Sequence, residues 1–302
     1  MPKLEFVLSL GDIIDGRDLQ VETDEDFLQI WKILEPMAST TAFYHVLGNH
    51  CLRIPRDRLI PALRMPASYY SKQLPQKWRL IVLDTTEMSG HSGFSQESDI
   101  GQEAAAFKAQ HPLSPAEPQM ADWNGGIGAR QLAWLREQLA SACQSQERII
   151  VACHHQIGKG AARDTHLAWN WELLQQVLLE SPWVRLVLSG HDHMGGYAQH
   201  GHVHFVTVEA MLEGRQWRLL MISNIAAVSF PSLLGNLKRR FMPSTALCLL
   251  MHAHSDCLSA HDEICQWDRC AACSSCLLFR HSAGLAVASP CSSTQHRCIC
   301  HH

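Results

Sequence analysis

The chain has 302 residues, a formal net charge of -4 and 46% hydrophobic residues. That length suits one large domain or two smaller ones with a sizeable core. The slightly acidic balance, without a clustered basic face, excludes nucleic acid as a main partner.

Taken in chain order, the first two-thirds alternates strand and helix signals. Leu4 to Leu10 is a short apolar run ending at Gly11, read as a buried strand; it is too short for a secretion signal. Asp24 to Leu34 carries Phe27, Ile30, Trp31 and Leu34 at helical spacing, with Thr23 and Asp24 as candidate caps. Strands are expected at Ala42 to Leu47, Trp78 to Leu83, Arg148 to Cys153, Val184 to Leu188 and Val203 to Val208. Helices are expected at Gly128 to Ala142 and Trp169 to Leu179. Strands alternating with helices imply an α/β layered fold, with central sheets flanked by helices. The stretch Glu87 to Gly128 breaks this rhythm and is too long for a connector. It is a disordered insertion or a lid, and its place between two site-bearing strands favours the lid.

Chemistry-bearing residues fall where apolar strands end, the usual place for ligand sites in α/β folds. There are four clusters: Gly11-Asp12-Ile13-Ile14-Asp15-Gly16, Gly48-Asn49-His50, His154-His155 and Gly190-His191-Asp192-His193. A pair of divalent metals needs oxygen and imidazole ligands and one carboxylate able to bridge. Asp12 fits the bridge, Asn49 offers a neutral oxygen, and His154, His191 and His193 offer nitrogens. This mixed set suits manganese or iron, with zinc possible. Two such ions can clamp a phosphoryl group for in-line attack. His50, beside a ligand, can serve the leaving oxygen, with Asp15 holding its imidazole. His155 reads as a pocket wall, Asp192 as a loop-orienting residue, and His202 and His204 as strand-face residues.

The order Gly-Asp, Gly-Asn-His, His-His, Gly-His-Asp-His resembles that of the calcineurin-like metallophosphoesterases. Several segments are similar to one branch, the manganese-dependent ADP-ribose/CDP-alcohol diphosphatases. These are His154-His155-Gln156-Ile157, Leu167-Ala168-Trp169-Asn170, Gly190-His191-Asp192-His193-Met194-Gly195-Gly196-Tyr197 and Val208-Glu209-Ala210-Met211-Leu212-Glu213-Gly214. Asn124-Gly125-Gly126-Ile127-Gly128 and Gln131-Leu132-Ala133-Trp134-Leu135 match it too. The resemblance spans about Pro2 to Gly214. It implies hydrolysis of a pyrophosphate, giving AMP or CMP and a phosphorylated product, with two divalent ions. It implies that Asp12 bridges, that Asn49, His154 and His191 hold one ion and His193 the other, and that His50 serves the leaving group. The family opens with a strand carrying further ligands, which this chain is expected to lack, and Cys51 stands where an acidic residue is frequent. A remnant without a complete dinuclear centre and a phosphomonoesterase of the same fold are the alternative readings.

After Gly214 the character changes. Only Cys51, Cys143 and Cys153 of the 12 cysteines precede position 200. Residues 1–214 are therefore expected to form the domain and 215–302 an unstructured tail. Cys270, Cys273 and Cys276 lack a matched second pair for zinc. Lys238-Arg239-Arg240 reads as a solvated turn, and Leu219 to Leu234 is too diluted by Asn224 and serines to cross a membrane. The expectation is a cytoplasmic monomer acting on a small nucleotide diphosphate, away from membranes.

Overall fold

The computed structural model describes residues 6–210, 221–222 and 225–226. Strand β1 (Phe6–Ser9) leads into helix α1 (Gln20–Ala38) and β2 (Ala42–His45), which pairs parallel with β1. Helix α2 (Arg56–Ala62) precedes the antiparallel pair β3 (Tyr70–Leu74) and β4 (Trp78–Val82). The insertion follows, with β5 (Met88–Ser89), α3 (Asp99–Gln110) and β6 (Gly125–Gly126). Helix α4 (Ala129–Ser145), β7 (Arg148–Ala152), α5 (Trp171–Glu180) and β8 (Val184–Ser189) come next, then the hairpin β9 (Gly196–His200) and β10 (Val203–Thr207). The larger sheet runs β3-β4-β7-β8-β10-β9, with β4, β7, β8 and β10 parallel.

Side chains alternate across a strand, and here the alternation feeds two cores. Leu80, Val82, Ile150, Ala152, Leu186 and Leu188 face one way and pack with Phe6, Leu8 and Leu10 from the smaller sheet. Phe27, Ile30 and Leu34 of α1 join that core. Ile81, Leu83, Ile149, Val151, Cys153 and Val187 face the other way, against Leu135 and Leu139 of α4 and Leu174, Val177 and Leu178 of α5. The central strands therefore read as continuous apolar runs, as expected of a parallel sheet covered on both faces.

The expected strands and helices are present, with differences at their ends. Helix α1 begins at Gln20, so Thr23 and Asp24 lie inside it and do not cap it. Thr23 instead accepts a hydrogen bond from the Arg17 backbone N–H at 2.8 Å, fixing the chain's entry into the helix. Elements α2, β3 and β9 carry no strong pattern in the sequence: β3 and β9 are edge strands, exposed along part of their length. His204 lies on β10, but His202 sits in the turn before it, with Nε2 2.9 Å from the Ser181 carbonyl. Met221–Ile222 and Ile225–Ala226 form a two-residue antiparallel ladder in a stretch expected to be without elements. The 214/215 boundary and the remaining expectations for the tail lie outside the described residues. Among the described residues, no helix is long and apolar enough to cross a membrane.

Phe205 is fully buried in the helix-facing core. Phe205→Ala should lower unfolding stability by about 3–5 kcal/mol, measured by urea denaturation. A loss below about 1 kcal/mol would show that the site repacks and does not carry this core.

Candidate metal centre

Each expected cluster leaves the carboxyl end of a strand: Asp12 after β1, Asn49 after β2, His154 after β7 and His191 after β8. His154 continues the alternation of Ile150 and Ala152, so it falls on the face that looks toward the smaller sheet. There its Nδ1–H donates to the Leu10 carbonyl at 2.8 Å, which leaves a lone pair on Nε2. That Nε2 lies 2.9 Å from Asp12 Oδ2, 3.0 Å from Asn49 Oδ1 and 3.2 Å from His191 Nδ1.

The His191 tautomer is fixed as firmly. Its Nε2 lies 2.8 Å from Asn124 Oδ1. The Asn124 amide nitrogen donates to the Gln119 and Thr165 carbonyls at 2.8 and 2.7 Å, so its oxygen must be the acceptor. His191 therefore donates from Nε2 and keeps a lone pair on Nδ1. Four acceptor atoms thus meet with no hydrogen of their own among them. A single shared proton would satisfy one pair and leave the others in repulsion. A cation satisfies all four. Around an octahedral ion with bonds of about 2.1 Å, neighbouring ligand atoms stand about 3.0 Å apart, which is the spacing seen here. Oxygen and imidazole without thiolate is the donor set of manganese, iron or zinc.

Asp12 and His154 favour each other's charged forms, whereas His191 is kept neutral. Burial opposes charge on both Asp12 and His154, yet their contact outweighs it: the Asp12 carboxyl is held below its usual range and the His154 imidazole above its own. Burial, then the imidazoles of His155, His154 and His166, pushes His191 well below the ordinary histidine value, in the neutral form a ligand requires.

The backbone is bent to make this possible. Asp12 has φ 51° and His191 φ 68°, left-handed conformations that non-glycine residues rarely hold. Such strain costs about 1–3 kcal/mol and gathers at functional sites. Two glycines allow the loops to meet. A Cβ on Gly48 would stand 2.1 Å from Asp12 Oδ1, and one on Gly11, at φ 98°, would stand 2.6 Å from His154 Nδ1.

Around this point the other expected residues take distinct places. The His50 backbone N–H donates to Asp12 Oδ1 at 2.8 Å, holding the carboxylate. The His50 Nδ1–H is shared between the Asp15 carboxylate and carbonyl oxygens, each 2.8 Å away, so Nε2 remains available. His193 stands two residues after His191, half-buried, near enough to His166 to act on its charge. His154, His155 and His191 together resemble a three-imidazole site. Hydrogen bonding makes His155 a wall instead. Its backbone N–H donates to Thr85 Oγ1 at 3.0 Å, its Nδ1 lies 3.0 Å from the same hydroxyl and 3.1 Å from the Thr85 carbonyl, and its Nε2 lies 3.3 Å from the Trp123 carbonyl. Both ring nitrogens are thus engaged by Thr85 and Trp123, and burial drives its pKa down to about 3. Asp192 orients the loop: it accepts from the Arg163 backbone N–H at 2.9 Å, from its guanidinium at 2.8 Å and from Met194 N–H at 3.2 Å.

The insertion is folded and reaches the centre. Met88 pairs with Gly126, closing its base, and Met120, Ile100 and Phe107 pack around Trp169. Arg56 binds Asp84 at 2.5 Å and also the Ser92 and Thr86 carbonyls, fastening the near side. Trp123 lies against the rings of His191 and His166, at 5.3 and 4.9 Å between centroids. Asn124, Trp123 and His166 are contributors that were not singled out as site residues from the sequence. Only Asn124 carried a signal, in Asn124-Gly125-Gly126. That segment docks on Leu167-Ala168-Trp169-Asn170: Trp169 N–H donates to the Gly125 carbonyl at 2.7 Å, and the Asn170 amide to the Ile127 carbonyl at 2.8 Å. Gln156 acts similarly, donating to Ser189 and Thr207 hydroxyls and accepting from the Ile157 and Gly158 N–H groups.

Comparison with known proteins places the chain in a family. The calcineurin-like phosphoesterase model matches residues 2–195. A manganese-dependent ADP-ribose/CDP-alcohol diphosphatase of Arabidopsis thaliana is 32% identical over 229 residues, covering 70% of this chain and 72% of that protein. The Homo sapiens protein of the same name is 27% identical over 235 residues, covering 68% of each. Among solved structures, a dimetal phosphatase from Danio rerio superposes with a TM-score of 0.60 at 25% identity, covering 68% of this chain and 72% of that one. The chain belongs to the calcineurin-like phosphoesterase family and is a hydrolase.

Proposed function

We propose that this chain hydrolyses the pyrophosphate of ADP-ribose and of CDP-alcohols such as CDP-choline and CDP-glycerol. The products are AMP or CMP and a phosphorylated sugar or alcohol. The observation that carries the reading is the convergence of Asp12, Asn49, His154 and His191 on the His154 Nε2 position. The names of the relatives supply the substrate class. Residues 1–214 are the hydrolase domain in this reading, working as a cytoplasmic monomer.

Asn49, His154 and His191 would hold one divalent ion, His193 would contribute to a second, and Asp12 would serve both; manganese is the first choice, with iron or zinc as substitutes. Ions of this kind supply polarisation of phosphoryl oxygens and a lowered pKa for water. Everything else is the work of this chain's own residues. Leu10 and Asn124 carbonyl oxygens keep both imidazoles in the tautomers that bind. His50, steadied by Asp15 through Nδ1, presents Nε2 to the leaving oxygen and, when both ring nitrogens carry hydrogen, gives it the Nε2 proton and is left neutral. His155 and Trp123 wall the centre and limit water.

With Mn(II) present, release of AMP from ADP-ribose, followed by chromatography, should outpace hydrolysis of p-nitrophenyl phosphate; the reverse order would make the chain a phosphomonoesterase. Asp12→Ala should abolish turnover and lower Mn(II) content; unchanged turnover would remove Asp12 from the centre. His50→Ala should reduce kcat by about 10²–10⁴ with Mn(II) content retained. Loss of metal in that variant would make His50 a ligand.

A further inference from the structure

We propose that Asn124 is a positioning residue that couples docking of the insertion to ion binding. The inference rests on the ion-binding reading of the site. Asn124 has no exposed surface, and its side chain spans three separate pieces of chain. Its oxygen accepts from His191 Nε2 at 2.8 Å. Its two amide hydrogens go to the Gln119 carbonyl, inside the insertion, and to the Thr165 carbonyl, on the loop between β7 and α5. The same amide that selects the His191 tautomer therefore ties the insertion to the loop beneath it.

An amide cannot rotate to serve these roles one at a time. Turning it over would set its N–H groups against the His191 N–H and its oxygen against a carbonyl. If residues 119–124 lift away, His191 loses the acceptor for Nε2–H in a buried place, and nothing then prefers a lone pair on Nδ1. Neighbouring contacts move as one with it. Trp123 supplies the carbonyl for His155 Nε2 and lays its ring on His191. Coupling between two binding events is reciprocal. An ion that requires Nδ1 as ligand must favour the docked insertion, and docking must raise ion affinity.

The test uses the whole chain and Mn(II) alone. Binding is read from the electron paramagnetic resonance of free Mn(II), and the insertion from hydrogen–deuterium exchange of peptides within residues 87–128. In the unaltered chain, saturating Mn(II) should slow exchange across residues 119–126. Asn124→Ala should bind Mn(II) about 10–100-fold more weakly and, when saturated, show no such protection. Asn124→Asp keeps an acceptor for His191 but loses both donors, so it should recover affinity and protection together and only in part, and affinity recovered in full without any protection would also overturn the coupling. Mn(II) binding that leaves the insertion's exchange unchanged in the unaltered chain overturns the coupling, and so does full protection in Asn124→Ala. Should Asn124→Ala fail to fold, the unaltered chain decides alone. Absence of Mn(II) binding altogether overturns the ion site itself, and the coupling with it.

Discussion

A neutral imidazole carries one ring hydrogen, and in this protein two oxygens decide where it goes. The Leu10 carbonyl takes the hydrogen of His154, and the Asn124 amide oxygen takes that of His191. Both choices point lone pairs inward, at a carboxylate and an amide oxygen already there. The arrangement is costly without positive charge at its middle and favourable with it. Ligand identity alone would not produce this, because either histidine in its other tautomer would donate where it must accept. The oxygens that set the tautomers belong to a strand end and to an insertion, so the polarity of the centre is a property of the fold.

Strain and space are arranged to the same end. Asp12 and His191 both adopt left-handed backbone, and Gly11 and Gly48 leave the volume that a Cβ would fill. The two sheets bring their strand ends together by packing Leu8 and Leu10 against Leu80, Ile150 and Leu188. Hydrophobic burial thus holds the loops at a distance where their polar groups would otherwise repel.

The layered fold was legible because the central strands are fully buried on both faces and so appear as bare apolar runs. The edge strands β3 and β9, partly exposed and mixed in composition, gave little to read. The convergence of Asp12, Asn49, His154 and His191 was legible because each closes an apolar run with a glycine or histidine beside it. Asp15 beside His50 was expected and is found there. The support around the ligands was not legible. Asn124 follows Leu83 by about 40 positions and reaches His191 only because Met88 and Gly126 close the insertion at its base. His166 and Trp123 meet His191 through rings, a contact that leaves no spacing rule in the chain. The helix start was misplaced for a related reason: Thr23 looks like a cap, but its hydroxyl serves Arg17 from within the first turn.

In β7, Ile150 and Ala152 point to the inter-sheet core, Ile149 and Val151 to the helices, and His154 follows the first pair. A strand slipped by one rung would exchange the two sets, both apolar and both tolerable as packing. It would also turn His154 away from Leu10 and toward α4 and α5. Hydrophobic sorting alone is nearly blind to that error, whereas the polar partners at the strand's end are not. Misthreading here would yield a catalytically silent molecule in place of a sluggish one, so activity per folded molecule reports directly on fidelity of strand alignment.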